Sequence, residues 1–435
     1  MVWGVIYLLL SVWLVSVTLP LELPRLYRGL LSGGAGFVAM ILVWILPHLL
    51  LLGGSITAAV AWMGGLATLP GQLGLLLHLV SWTIMIRYLW QLRAPMLLLD
   101  DQPVDWQVPA FELPAPEQLS LPSAQKQVLK APAGPELGWI AYLTQRNPQA
   151  VAVEVLPGKV YREVEGRRLR LDIYRPRGTQ SGEPRASVLV IHGGGWIVGN
   201  RRQFKRLCLE LALDGHVAYA ISYRLAPRHK LPAAVEDCKA AIAWIRAHAA
   251  SFGSLPDFIA VMGGSAGGHL AAMMALSPDE KSFQPGFEQA DTRVQAAILQ
   301  YGVMDFTSAL EHGYNPALKY LLERMVVGVP YSQDPARYHK LEPLRYRPQQ
   351  VPPLLLVHGT YDRMVLARDS QSMLASLKAA GATNLHHLEI PRAPHAFDIL
   401  INPYQQRASC LMRRFLAQTF WQWLVAQSSP DAVAS

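Results

Sequence analysis

Ser265 is the residue whose neighbours best equip it to act as a nucleophile. It stands in residues 261–269, Val-Met-Gly-Gly-Ser-Ala-Gly-Gly-His. An apolar, strand-like run stops at two glycines, one serine occupies the tip of the turn, and an alanine-rich stretch of helical character runs from Leu270 to Leu276. Residues 263–267 fit G-x-S-x-G, a strained strand-to-helix turn that holds a serine hydroxyl clear of the backbone. Glycines flank the serine because a Cβ would collide there. A helix beginning at this point also directs free N–H groups and its positive end at the place where an oxyanion would form. The chemistry implied is acyl transfer, which further requires a base, an acid to orient that base, and oxyanion donors.

Each of these has a candidate. His192-Gly193-Gly194-Gly195-Trp196 follows the apolar strand 187–191, and its position assigns the N–H groups of Gly194 and Gly195, joined by that of Ala266, as oxyanion donors. The acid is expected after the serine, at the C-terminal end of a later strand, where ligands of open α/β sheets gather. Asp362 meets this requirement at the end of the run 354–362; Asp305 also follows a strand and reads instead as a turn or helix cap. The base is expected last, and His395 lies in a loop after the strand 385–390. His358 and His269 read as packing or loop hydrogen-bonding residues. His386 and His387, adjacent on a strand, point to opposite faces and cannot chelate one ion. Cys208, Cys238 and Cys410 form an odd, unclustered set that suits neither a disulfide framework nor zinc. No metal and no cofactor are expected, and the absence of G-x-x-x-x-G-K and of G-x-G-x-x-G opening a βαβ unit argues against nucleotide binding.

The elements that must position these residues alternate from Val160 onward. Short apolar runs at 169–174, 187–191, 217–222, 258–262, 296–300 and 354–357 suit buried strands of a parallel sheet, with helices such as 232–249 between them. The predicted class is α/β, doubly wound, over residues 159–428, with a helix at 314–327 contributing to a small cap around 305–345. Residues 96–158 are polar and rich in proline and read as a linker. Residues 1–95 differ sharply: before Glu22, and again between Arg28 and Arg87, there is no Asp, Glu, Lys or Arg. About three membrane spans are expected, at 1–19, within the glycine-interrupted stretch 30–69, and at 72–92 after a turn at Pro70-Gly71. The first lacks the basic start and small-residue cleavage site of a secretory signal.

The formal charge of +8 suits a nucleic-acid binder or a protein lying against anionic lipid, and the adjoining spans favour the bilayer over nucleic acid. Arg25 and Arg28 follow the first span, and Arg87 and Arg93 flank the last, so the positive-inside rule predicts a multi-pass protein with its catalytic domain in the cytoplasm.

With these residues in view the chain resembles the α/β-hydrolases, and within them the hormone-sensitive-lipase-like carboxylesterases. The resemblance is carried by 192–196 (His-Gly-Gly-Gly-Trp), 222–227 (Ser-Tyr-Arg-Leu-Ala-Pro), 231–237 (Leu-Pro-Ala-Ala-Val-Glu-Asp) and 264–271 (Gly-Ser-Ala-Gly-Gly-His-Leu-Ala), and spans roughly 160–425. It implies a single catalytic domain that hydrolyses carboxylic esters without a cofactor, with Ser265, Asp362 and His395 as its triad. Gly264 stands where that family usually has an acidic residue, and 358–365 departs from its usual acid motif. Both features are closer to the feruloyl-esterase-like and isoprenylcysteine-methylesterase-like branches. The expected substrate is a small hydrophobic ester. A serine peptidase or amidase on the same fold, and a non-catalytic receptor or scaffold, are the alternatives; the first would need a site for a peptide amine, the second a missing triad member.

Overall fold

The computed structural model describes residues 2–22, 52–97, 151–179, 185–311, 316–391, 393–399 and 403–428. Its centre is an eight-stranded sheet: β1 (Val153–Val164), β2 (Arg167–Pro176), β3 (Ser187–Ile191), β4 (Val217–Ile221), β5 (Ile259–Gly264), β6 (Ala296–Gln300), β7 (Leu354–Gly359) and β8 (Leu385–Ile390). The order is β1-β2-β4-β3-β5-β6-β7-β8. β1 and β2 form an antiparallel hairpin, β2 pairs antiparallel with β4, and every later pairing is parallel. The short central strands are buried on both faces, which is why they read as unbroken apolar runs. Alternation decides which core each residue joins: Leu189 and Ile191 of β3 point into one cluster, Val188 and Val190 into the other.

The helices are α1 (Val2–Glu22), α2 (Leu52–Trp62), α3 (Leu69–Leu97), α4 (Lys205–Leu213), α5 (Ala233–His248), α6 (Ala266–Leu276), α7 (Phe306–Glu311), α8 (Pro316–Tyr320), α9 (Pro335–Lys340), α10 (Ala367–Ala379) and α11 (Pro403–Ser428). α5, α6 and α10 cover the first face of the sheet, α4 and α11 the second. Leu14 of α1 and Met85 of α3 join the second cluster beside α11, so the N-terminal helices rest on that side of the domain.

Two expectations are corrected here. The linker does not reach residue 158, because β1 begins at Val153 and hydrogen-bonds along β2; Val155, Pro157 and Gly158 contain no long apolar run, and only pairing with β2 makes this an edge strand. The remainder of the predicted linker, residues 98–150, lies outside the described residues. Pro70-Gly71 does not make a turn but sits in the first turn of α3, where a missing N–H costs nothing; the chain reverses earlier, at Gly64 with φ +70°. Of the three expected spans, most of 30–69 also lies outside the described residues. Among the described residues one helix, Leu69–Arg87, is long and apolar enough to cross a membrane. Between β6 and β7 the short helices α7, α8 and α9, with a wide helical turn at Leu321–Val326, occupy the region expected to form a cap.

Candidate active site

β5 ends at Gly264, and Ser265 takes φ 58° and ψ −121°, a conformation that a β-carbon disfavours. The turn is held because its flanks admit no side chain. A Cβ on Gly263 would lie 2.4 Å from the carbonyl oxygen of Gly267, and one on Gly267 would lie 2.2 Å from that of Ile191. The Ser265 N–H donates to the Gln300 carbonyl at 2.9 Å, tying the turn to the end of β6. At Gly264, a Cβ would come 2.5 Å from the Tyr301 hydroxyl, so the space an acidic side chain would need before the serine is taken by the tyrosine that follows β6.

Two loops from the far side of the sheet converge on this serine. His395 Nε2 is 2.9 Å from Ser265 Oγ, and His395 Nδ1 is 2.7 Å from Asp362 Oδ2. The backbone N–H groups of Met364 and Val365 donate to the other oxygen, Asp362 Oδ1, each at 2.9 Å. Burial alone would raise the pKa of Asp362, but the imidazoles of His395 and His358 outweigh it and hold the carboxyl well below the usual range. Asp362 is therefore an anion, which fixes the proton of His395 on Nδ1 and leaves Nε2 to accept from the serine hydroxyl.

His358, expected as a packing or loop hydrogen-bonding residue, is buried and hydrogen-bonded. Its Nδ1 meets Ser370 Oγ at 2.8 Å, and its Nε2 lies 3.0 Å from the Val365 carbonyl and 3.3 Å from Asp362 Oδ2. Burial would lower its pKa; the hydrogen bond and charge of Asp362, helped by the Val365 carbonyl, raise it instead. The signal lay in the spacing His358 to Asp362, four residues across a strand end, which brings the two together only because the turn folds back. His269 does pack: its Nδ1 accepts from the Trp196 indole N–H at 3.3 Å, its Nε2 donates to the Leu341 carbonyl at 2.8 Å, and Phe306 stacks on its face. Asp305 accepts the Ser308 N–H at 2.7 Å and caps α7, while the carboxylate that His395 meets is that of Asp362.

The glycine loop lies against the serine turn, with the Cβ position of Gly193 only 3.3 Å from Ser265 Cβ. Gly194 has φ +107° and its carbonyl accepts from Ile197 and Val198, while a Cβ there would lie 2.2 Å from the Val198 oxygen. Among the described residues, the N–H groups of Gly194, Gly195 and Ala266 donate to no acceptor in a turn or loop. The loop is braced from behind. His192 Nδ1 donates to the Gly193 carbonyl at 2.8 Å, and its ring stacks on Tyr223 at 4.2 Å. Burial lowers its pKa to about 4 and keeps it neutral. Tyr223 Oη donates to the His192 carbonyl and the Ala226 N–H to that of Trp196, both at 2.9 Å. Arg224 in turn is clamped by Asp237, whose Oδ2 also accepts the Arg224 backbone N–H. Residues 222–227 and 231–237 thus shape the glycine loop. Leu321 reaches over it, its Cδ2 lying 3.1 Å from the Cβ position of Gly195.

Four of the five non-glycine residues with positive φ among those described, Trp196, Ser265, Tyr301 and Ala396, surround this site. Backbone strain of this kind persists where surrounding contacts over-determine it.

A family model described as BD-FAE matches residues 171–377. LipM of Mycobacterium tuberculosis, a probable carboxylic ester hydrolase, is 34% identical over 352 residues, covering 76% of this chain and 81% of LipM. The esterase LipQ of the same organism is 37% identical over 272 residues, 62% of this chain and 64% of LipQ. Among solved structures, esterase 2 of Thermogutta terrifontis phosphoramylated by tabun aligns with a TM-score of 0.51 and 27% identity, over 65% of this chain and 97% of that one. The mostly parallel sheet agrees with these likenesses, and the chain belongs to the α/β-hydrolase carboxylesterases, enzymes that hydrolyse carboxylic esters.

Proposed function

We propose that this carboxylesterase works through a covalent acyl-enzyme on Ser265, with His395 as base and Asp362 as the residue that orients it. The observation that carries the reading is the unbroken line from Ser265 Oγ through both nitrogens of His395 to Asp362 Oδ2. Ser265 Oγ attacks the ester carbonyl as its proton passes to His395 Nε2. The carbonyl oxygen becomes an oxyanion held by the N–H groups of Gly194, Gly195 and Ala266. Breaking the bond to the alcohol oxygen, which takes the proton from His395, leaves the acyl-enzyme. Water, deprotonated by the same nitrogen, then releases the acid and restores the serine. Asp362 keeps the proton on Nδ1 and stabilises the imidazolium formed at each step.

The N-terminal helices are read as the anchor of a multi-pass membrane protein, with residues 159–428 in the cytoplasm and the segment 305–345 as a cap. This reading is supported by the charge-free front of the chain and by the outward-facing Trp3, Leu9, Leu73 and Leu76 on α1 and α3. The substrate is accordingly a moderately hydrophobic ester of short or medium chain that partitions to the bilayer. A fluorophosphonate probe should label the wild type and not Ser265→Ala. An ester panel of graded chain length, run with and without residues 1–95, tests the substrate class; activity confined to strongly polar esters would count against it. A C-terminal green fluorescent protein fusion should glow and an alkaline phosphatase fusion stay inactive, and the reverse would refute the orientation.

A further inference from the structure

The loop that carries His395 also carries a second buried carboxylate, Asp398, which the mechanism above leaves unused. Asp398 Oδ1 accepts from the Tyr301 hydroxyl and Oδ2 from Gln300 Nε2, both in short hydrogen bonds. These two residues are also the ones that frame the serine. The Gln300 carbonyl accepts the Ser265 N–H at 2.9 Å, and the Tyr301 ring stands edge-on to His395, with centroids 4.9 Å apart and planes at 67°. Tyr301 holds φ +37°, a conformation that needs support, and its N–H donates to the Val357 carbonyl at 2.7 Å. One carboxylate therefore joins the base loop to the strand end that holds the nucleophile turn.

Building on the triad reading, we propose that Asp398 is a positioning residue for the base: it fixes the His395 loop against Tyr301 and Gln300, and its buried negative charge favours the imidazolium that His395 becomes during acyl transfer. The groups facing it agree with this role. From the end of β6, burial and the Asp398 charge raise the Tyr301 pKa well above 10, so the phenol keeps its proton and donates. Across the site stand His395 and the anion Asp362. From α4, Arg206 lines the same small cavity as Asp398 but is paired with Glu210 at 2.7 Å. No lysine or arginine among the described residues is ion-paired with Asp398, and its charge is left to act on His395. Burial lifts its own pKa to about 6, against the pull of the Tyr301 hydroxyl, its own backbone N–H, the His395 charge and Gln300.

The test uses the full chain in detergent and the substitution Asp398→Asn. An asparagine oxygen still accepts from Tyr301, and the Gln300 amide can turn to meet the new NH₂, so the contacts survive while the charge is lost. We expect kcat to fall about tenfold with KM within about twofold of wild type. The acid limb of kcat/KM should move to lower pH by about half a unit, because an imidazolium without its neighbouring anion gives up its proton more readily. In the wild type, protonation of Asp398 slows turnover on top of protonation of His395, so that limb should be steeper than one ionisation allows, and the variant should show the single-proton slope. An unchanged kcat, or a lower kcat with the limb unmoved, would overturn the proposal. So would a single-proton limb in the wild type, a measurement that holds even where the variant does not fold. Ser265→Ala is run beside it: retained hydrolysis there removes the triad itself, whereas a dead Ser265→Ala with normal Asp398→Asn removes only the role given to Asp398.

Discussion

Glycine allows close backbone approach in two distant parts of this molecule, with different consequences. At the Ser265 turn, the Cβ position of Gly263 falls 2.4 Å from the Gly267 carbonyl oxygen of the same turn, and that of Gly267 falls 2.2 Å from the Ile191 carbonyl oxygen at the end of β3. In the N-terminal helices, the Cβ position of Gly74 on α3 falls 3.0 Å from the Leu8 nitrogen of α1 and 2.9 Å from the Tyr7 ring, so two helices lie nearly in backbone contact. The first set brackets one residue, Ser265, held at φ 58° and ψ −121°. The second is spread along an interface whose outer surface is leucine, valine and tryptophan. In the reading proposed above, crowding around the strained serine serves the chemistry and crowding along the helix pair serves the anchor.

Substitutions at the two places should separate these roles. Ser265→Ala should have the largest effect, lowering kcat/KM by on the order of 10⁵-fold or more while the thermal unfolding midpoint stays near wild type. Asp362→Asn should follow at about 10⁴-fold, since an amide can hold the wrong imidazole tautomer. Asp305→Asn should leave turnover nearly intact and cost at most about 1 kcal/mol as a weakened helix cap. A reversal of those two results in an ester hydrolysis assay would exchange their roles. Gly267→Ala meets backbone that cannot move aside, and denaturant unfolding should register a loss of about 3 kcal/mol together with lost activity.

The pH dependence of stability gives a subtler contrast between two of the buried carboxylates, Asp362 and Asp398. Asp362 has a depressed folded pKa, so its contribution is present above the unfolded value and is lost as pH falls. Asp398, raised to about 6, has the opposite sign: the native state binds the extra proton, and stability declines as pH rises from about 4 through 6. Unfolding free energies from urea titrations of wild type and Asp398→Asn across this window should diverge by on the order of 1–3 kcal/mol, the variant lacking the decline. Smallest in its effect on chemistry should be Gly74→Ile. It should part α1 from α3, seen as faster proteolysis of the N-terminal region, while hydrolysis of a water-soluble ester changes less than about twofold.

Much of the α/β domain could be read without coordinates. The apolar runs at 187–191, 217–222, 258–262, 296–300 and 354–357 hold strands because a parallel sheet covered on both faces needs no alternation, and burial of the five strands matches that pattern. β1 was not legible, for it is an edge strand whose identity comes from β2. Nor was the start of α3, where proline and glycine suggest a turn until the preceding reversal at Gly64 is known.

By itself the sequence determined that a serine would be set on a strained turn, that a glycine loop would face it, and that an acid and a base would follow at later strand ends. These are local matters of side-chain volume, backbone freedom and apolar period, and local sterics act between neighbours in the chain. The tertiary structure decided how residues picked one by one from the sequence come within hydrogen-bond reach of one another. His395 and Asp362 are 33 residues apart, and His395 and Ser265 are 130. It decided as well that His358 turns back onto Asp362, and that Asp398 crosses 97 residues to reach Tyr301. Such pairs are chosen by strand order and register, which depend on how whole faces of the sheet are buried, and no short stretch of sequence contains that information.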